Sequence, residues 1–307
     1  MIQAQQLTKR FEDFTALNAI TCTIPRGCIY GMVGSNGAGK STFLRLIAGI
    51  YRADGGVVTL EGQPIYDNPA VKSRMVFVPD EWHFLPGATP RRMAAFYRAA
   101  YPSFDEGRYR YLIQAFGLPE NKTLGTFSKG MRRQTAVLLA LSCRPDYLFM
   151  DETFDGLDPV MRRLVKGLLC EDVMNRQATA ILTSHSLREL EDTCDQLALL
   201  HKGGLILESD VQNLKTSLFK IQVAFLDDYG RERFDGLEVL HFSKSGSVSV
   251  LIARGDREAT VAHLRAQNPV VLDVLPLSLE EVFTYEMEAL GYAFDNVLLQ
   301  EEGRVLP

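Results

Sequence analysis

Apolar positions in the first two hundred residues fall into short unbroken runs. Ile29 to Val33, Tyr147 to Met150 and Ala180 to Thr183 are such runs, each ending at Gly, Asp or Ser. Unbroken runs of this length read as strands buried on both faces of a parallel sheet. Between them the period changes to that of a helix. Phe43, Leu44, Ile47 and Ala48 follow the first run at helical spacing. Met93, Phe96 and Tyr97, then Tyr109, Leu112, Ile113 and Phe116, predict apolar helix faces in the middle of the chain. Thr89-Pro90 opens that region with Pro at the first helical position. Ser186 with Glu189 three residues on predicts a capping box at the start of a further helix.

The pattern shifts near residue 212. KGGLILESD closes the first region with a turn and a strand, and a short helix is expected from Val211 to Leu218. Alternating strands then follow in FKIQVAFLD, LEVLHFS and GSVSVLIAR. DREATVAHLRAQ reads as a helix starting at Asp256, VVLDVLPL as a strand, and Ser278 with Glu281 as the cap of a helix through EEVFTYEMEAL. The expected organisation is a large domain over 1–212, a small α/β domain over 213–290, and a loosely ordered tail over 291–307 whose apolar residues could dock on a partner.

Composition narrows the functional classes. A net charge of −5 and a pI near 5.6 give no electrostatic footprint for nucleic acid. No apolar run approaches the roughly 20 residues that span a bilayer, and MIQAQQLTKRF lacks the apolar stretch of a signal peptide. Cys22, Cys28, Cys143, Cys170 and Cys194 are odd in number and scattered, without a C-x-x-C pair. That argues for a reducing compartment and against zinc or a disulfide framework.

The chemistry concentrates where the buried runs end. IYGMVGSNGAGKSTFLRLIAGI contains G-x-x-x-x-G-K-S as Gly34, Gly39, Lys40 and Ser41, with a strand before it and a helix after it. Glycines let backbone N–H groups converge on phosphates, the helix dipole adds positive potential, Lys40 reaches the β- and γ-phosphates, and Ser41 offers a hydroxyl to Mg²⁺. The second run delivers Asp151-Glu152 at a strand end, where a nucleotide-hydrolysing enzyme needs one carboxylate for Mg²⁺ and one to polarise the attacking water. The third ends at Ser184-His185, on the same edge of a parallel sheet. Each motif alone has a plain structural reading: a glycine-rich turn, a DGLDP turn, a structural histidine. The recurrence of polar chemistry at successive strand ends favours a phosphate site.

The order Gly34–Thr42, FSKGM at 127–131, Asp151-Glu152, Gly156-Leu157-Asp158-Pro159 and His185 resembles the ATP-binding subunit of an ABC transporter over roughly residues 1 to 212. FSKGM is the most specific element, since it resembles the LSGGQ-type signature. A guanine-reading N-K-x-D is absent, because Asn121-Lys122 continues into Thr-Leu.

The resemblance implies a P-loop fold: a RecA-like parallel core, an antiparallel β subdomain, and a helical subdomain at about 83–145. Gly34, Asn36, Gly37, Gly39, Lys40, Ser41 and Thr42 would surround the triphosphate, and Phe11, with Phe14 as rival, would stack on adenine. Ser41, Asp80 and Asp151 would attend Mg²⁺. Glu152 would be the catalytic carboxylate and His185 the γ-phosphate sensor. Ser128 and Gly130 would grip the partner's nucleotide in a head-to-tail dimer, and Asp158 would lie in the loop that crosses to the other site. The partners implied are a second ATP-binding subunit and a separate membrane-spanning permease, with no nucleic acid, at the cytoplasmic face of the membrane.

Departures from the pattern are Asp80 in place of Gln, Thr153 in place of Pro, and Lys129 and Met131 within the signature. Lys129, Arg132 and Arg133 are expected to face water at the start of a helix capped by Ser128. The appendage shows no catalytic motif and resembles those on ABC-2 type exporter ATPases. The reading is an ATPase subunit powering export. The alternatives are a soluble relative acting on ribosomes or DNA, or a regulatory ATP switch.

Overall fold

The computed structural model describes residues 1–289, so the expected tail lies outside the described residues. Contacts divide the chain into two compact units, Met1–Glu208 and one beginning at Ser209.

The first unit opens with the hairpin β1 (Ile2–Phe11) and β2 (Phe14–Ile24), followed by β3 (Ile29–Val33) and α1 (Lys40–Ile47). Next come β4 (Gly55–Leu60), β5 (Gln63–Pro64), α2 (Pro69–Lys72) and β6 (Met75–Val78). The helices α3 (Pro90–Ala100), α4 (Glu106–Ala115) and α5 (Lys129–Ser142) precede β7 (Tyr147–Met150). Then follow α6 (Pro159–Arg176), β8 (Thr179–Ser184), α7 (Leu187–Glu191), β9 (Gln196–His201) and β10 (Gly204–Asp210).

Two sheets result. One has the order β2-β1-β4-β5 with antiparallel pairing. The other has the order β10-β9-β3-β8-β7-β6, parallel from β9 through β6. β3, β7 and β8 are buried at every position, which is why they read as unbroken apolar runs. Leu7, Leu17 and Ile24 from the antiparallel sheet share one core cluster with Tyr30, Phe43 and Phe149. α5 is buried at every position from Thr135 to Ser142, as expected of a helix threaded through a core.

Two local expectations fail. Phe96 is exposed, because the buried stripe of α3 runs through Pro90, Met93 and Ala94, and Phe96 lies off it. Ser186 stands at the N-cap of α7 without a side-chain cap bond. Glu189 is drawn away from the capping box: it accepts the Ser184 hydroxyl at 2.7 Å and pairs with Arg162 at 3.3 Å.

In the second unit α8 (Val211–Ser217) leads into β11 (Leu218–Ala224), β12 (Glu238–Ser245), β13 (Val248–Arg254), α9 (Arg257–Arg265), β14 (Val271–Leu275) and α10 (Leu279–Ala289). Its antiparallel sheet has the order β12-β13-β11-β14 over a core of Ile221, Val223, Phe234, Leu251 and Leu264. The Ser278–Glu281 capping box forms in both directions, at 2.9 and 3.2 Å.

One acid on β10 is bonded to a buried tyrosine. Glu208 Oε1 accepts the Tyr30 hydroxyl at 2.6 Å. Partial desolvation pushes the Glu208 carboxyl above its ordinary value of 4.5, and the Tyr30 bond only partly opposes this. The folded state therefore holds the proton more tightly than the unfolded chain. This contribution to stability is fully present below about pH 4.5 and is lost as pH rises through the folded-state value. Glu208→Gln keeps an acceptor for Tyr30 and removes the titration. Urea unfolding across pH 4 to 8 is expected to show a smaller loss of stability with rising pH in the variant, and an unchanged slope would contradict the assignment.

Candidate phosphate and hydrolysis site

The site is built at the ends of three adjacent strands. Register pairs Val33 with Ser184 and Leu182 with Met150, so the segments leaving β3, β7 and β8 emerge side by side. The loop leaving β3 needs its glycines. A Cβ on Gly34 would stand 2.4 Å from the Leu200 carbonyl oxygen. Gly39 has φ 104° and caps α1, and a Cβ there would meet Leu17 and the Ala16 carbonyl oxygen under 3 Å. α1 carries no side-chain cap and no acidic residue in its first turn, so its dipole and leading N–H groups suit an anion. Asn36 and Gly37 lie exposed on the loop, and Thr42 is half-buried in the first turn.

Lys40 is buried, 5% exposed. Its Nζ donates to the carbonyls of Gly34 at 2.7 Å and Ser35 at 3.3 Å, and pairs with Glu152 Oε1 at 3.1 Å. Asp151 is fully buried. Its Oδ1 accepts the hydroxyls of Ser41 and Thr183, each at 2.8 Å, and its Oδ2 lies 3.4 Å from Arg45 Nη2. Thr183 Oγ1 also accepts the Glu152 N–H at 3.0 Å, which locks the two carboxylate residues in place. Glu152 takes the left-handed conformation, φ 45°, which is uncommon outside glycine. Its Oε2 accepts the His185 N–H at 3.2 Å and lies 2.9 Å from His185 Nδ1. Lys40, Ser41, Asp151, Glu152 and His185 thus form one linked cluster of a cation, a hydroxyl, two carboxylates and an imidazole.

The remaining candidates stand outside that cluster. Ser128 caps α5 by accepting the Met131 N–H at 3.2 Å and shares no hydrogen bond with the cluster. Gly130 sits where a Cβ would lie 3.4 Å from the Gly156 carbonyl oxygen. Asp158 caps α6, accepting the N–H groups of Val160 and Met161 at 3.0 Å. Phe11 and Phe14 are register partners at the hairpin tip, 42% and 62% exposed. Phe11 meets the Tyr51 ring edge-on at 5.8 Å.

Asp80 is committed elsewhere. Its Oδ1 accepts Arg133 Nη2 at 2.7 Å, and it has no hydrogen bond to Ser41 or Asp151. Arg133 is the main correction to the expected solvated helix start. Lys129 and Arg132 are exposed as expected, but Arg133 is 1% exposed. Sequence reasoning also missed Thr183 and Arg45, which bind Asp151. Thr183 had a usable signal, since it immediately precedes the strand end Ser184-His185, whereas Arg133 sits in a run of charges that looks like any wet helix face.

Comparison with known proteins agrees with this geometry. The sequence profile of the ABC transporter family matches residues 17–155. The chain is 33% identical over 285 residues to the ABC transporter ATP-binding protein YtrB of Bacillus subtilis, covering 92% of this chain and 97% of that protein. It is 31% identical over 223 residues to the daunorubicin/doxorubicin resistance ATP-binding protein DrrA of Streptomyces peucetius, covering 71% of this chain and 67% of that protein. Among solved structures, the ATP-binding cassette MJ0796, in a dimeric post-hydrolysis state with ADP and Pi, superposes with a TM-score of 0.62 at 19% identity, covering 69% of this chain and 99% of that one. The fold, the strand-end cluster and the length of these matches together make the chain a member of the ABC transporter family, an ATP-binding subunit with ATPase activity.

Proposed function

We propose that this chain dimerises around two ATP molecules and drives export through a separate membrane-spanning permease, from the cytoplasmic face of the membrane. The observation that carries the dimer is the division of the site. Lys40, Ser41, Asp151, Glu152 and His185 are joined by hydrogen bonds and ion pairs, while Ser128 and Gly130 share none with them. A second copy supplies the missing donors, each α5 N-terminus facing the other chain's nucleotide. The dimeric state of the MJ0796 cassette supports this arrangement.

Within the half-site, Lys40 and the Gly34–Thr42 loop bind and orient the triphosphate. Ser41 Oγ and Asp151 Oδ1 are a hard oxygen pair that suits Mg²⁺, and a bound Mg²⁺ would supply charge neutralisation of the phosphates. Asp80 is a poorer fit as a further ligand while Arg133 holds its carboxylate. Glu152 accepts a proton from the attacking water, and His185 contacts the γ-phosphate while its Nδ1 bonds Glu152. Export rather than import is supported by the likeness to DrrA, whose name records drug resistance. Among the described residues no helix is long and apolar enough to cross a membrane.

The test is affinity purification of tagged Glu152→Gln protein from detergent-solubilised membranes of its host, with ATP and Mg²⁺. A polytopic membrane protein recovered in stoichiometric amount is expected. Recovery with ribosomes or DNA and no membrane protein would refute the transport reading.

A further inference from the structure

Arg133 is a fully buried cation on the helix that carries Ser128 and Gly130, and it reaches both neighbouring strand ends. Its Nη2 donates to Asp80 Oδ1 at 2.7 Å and contacts the Asp80 carbonyl at 3.4 Å, beyond β6. Its guanidinium carbon stands 4.6 Å from the centre of the Trp82 ring. Its Nη1 lies 3.7 Å from Asp155 Oδ2, in the turn that follows Asp151-Glu152 and leads to Asp158. That is an ion pair but not a hydrogen bond. Nε and Nη1 are buried and have no hydrogen-bond partner. A cation this buried is costly unless fully paired, and two idle donors on it mark a contact still to be completed. The backbone is close at the same point, because Gly130 abuts the Gly156 carbonyl oxygen.

We propose that Arg133 is a positioning residue: a clamp that sets the α5 N-terminus against the Asp155–Asp158 turn, so that Ser128, Gly130 and Asp158 present one rigid face to the second copy. The clamp tightens when Asp155 closes the remaining gap to Nη1. A guanidinium suits this task, since it bonds carboxylates through its planar fork while an indole packs against its face. Asp80 belongs to the clamp. The inference rests on the shared-site dimer proposed above.

Two variants test it. Arg133→Met removes the clamp but alters a buried position. Asp155→Asn changes a carboxylate whose side chain is 52% exposed and removes the charge without a cavity. In the monomer, amide exchange reads the clamp without reference to the dimer. The amides of Met131 and Arg132 are bonded to Ser128, and those of Asp155 and Leu157 are bonded within the turn. Asp155→Asn is expected to speed exchange at both segments about 10-fold, since local opening sets these rates. Unchanged exchange overturns the clamp.

In the Glu152→Gln background, each variant is expected to keep ATP affinity within about 3-fold yet weaken ATP-driven dimerisation about 10- to 100-fold, with no further loss in the double variant, because contacting groups are non-additive. Undiminished dimerisation of Asp155→Asn beside a dimerising parent overturns the positioning role. A Glu152→Gln parent that never dimerises refutes the shared-site reading, and the positioning role falls with it, while the exchange result still decides the clamp.

Discussion

Lys40→Ala should reduce ATP affinity by at least about 100-fold, the effect of deleting a desolvated cation that pairs with phosphate. The geometry explains why the loss is so large. Lys40 is enclosed, held by two carbonyls of its own loop and by Glu152, so its ammonium is aimed before any nucleotide arrives. Alanine removes the charge and leaves the Glu152 carboxylate facing the site unopposed. The γ-phosphate would then meet a net anion where it had met a neutral pair. Equilibrium titration with a fluorescent ATP analogue checks this, and an affinity within a few-fold of the unaltered chain would refute the site. The fold should survive, because the glycine contacts with Leu200, Ala16 and Leu17 that shape the loop do not involve the lysine side chain.

The second large effect is expected from Glu152→Gln. The amide cannot take a proton from water, so hydrolysis should fall by about 100- to 10,000-fold, the usual contribution of a general base. Binding should change in the opposite direction. Glu152 holds Lys40 at 3.1 Å, and removing that charge frees the ammonium for phosphate, so ATP affinity should rise modestly. The combination of tight binding and arrested turnover should accumulate dimer with ATP and Mg²⁺, seen as a doubled mass in sedimentation. Hydrolysis at the unaltered rate would remove Glu152 from its assigned role. The conformation of residue 152 adds a constraint on substitution. With φ at 45°, the position penalises β-branched residues, so glutamine is the right probe and valine or isoleucine would confound strain with chemistry.

Much of this site could be read from residue order because its parts are local. The Gly34–Ser41 loop, Asp151-Glu152 and His185 each sit directly after a buried apolar run, and such runs announce a strand in a covered parallel sheet. Their convergence then follows from strand adjacency. The capping residues Ser128, Asp256 and Ser278 were also legible, since a cap is a contact over three positions. Arg133 was not. Its burial depends on Asp80, Trp82 and Asp155, which come from segments up to 53 residues away. Nothing in the local run separates it from its exposed neighbours Lys129 and Arg132. Phe96 failed because its own residue type suggested core, although the helix phase set by Met93 excluded it. The Ser186 cap failed through competition, since Glu189 found a better-placed hydroxyl and a guanidinium.

The parallel register of β3, β8 and β7 has a consequence for how the protein is made. β3 pairs with β8, Ile29 opposite Ala180, so the phosphate loop belongs to a strand whose neighbour is synthesised much later. At about 5 to 20 residues per second, that partner follows after about 8 to 30 s. During that interval a strand built to be covered on both faces has no sheet to enter, and closing so long a connection is slow. The nucleotide-binding loop of a nascent chain therefore exists as sequence well before it exists as a site, and the apolar run from Ile29 to Val33 stays uncovered over that interval.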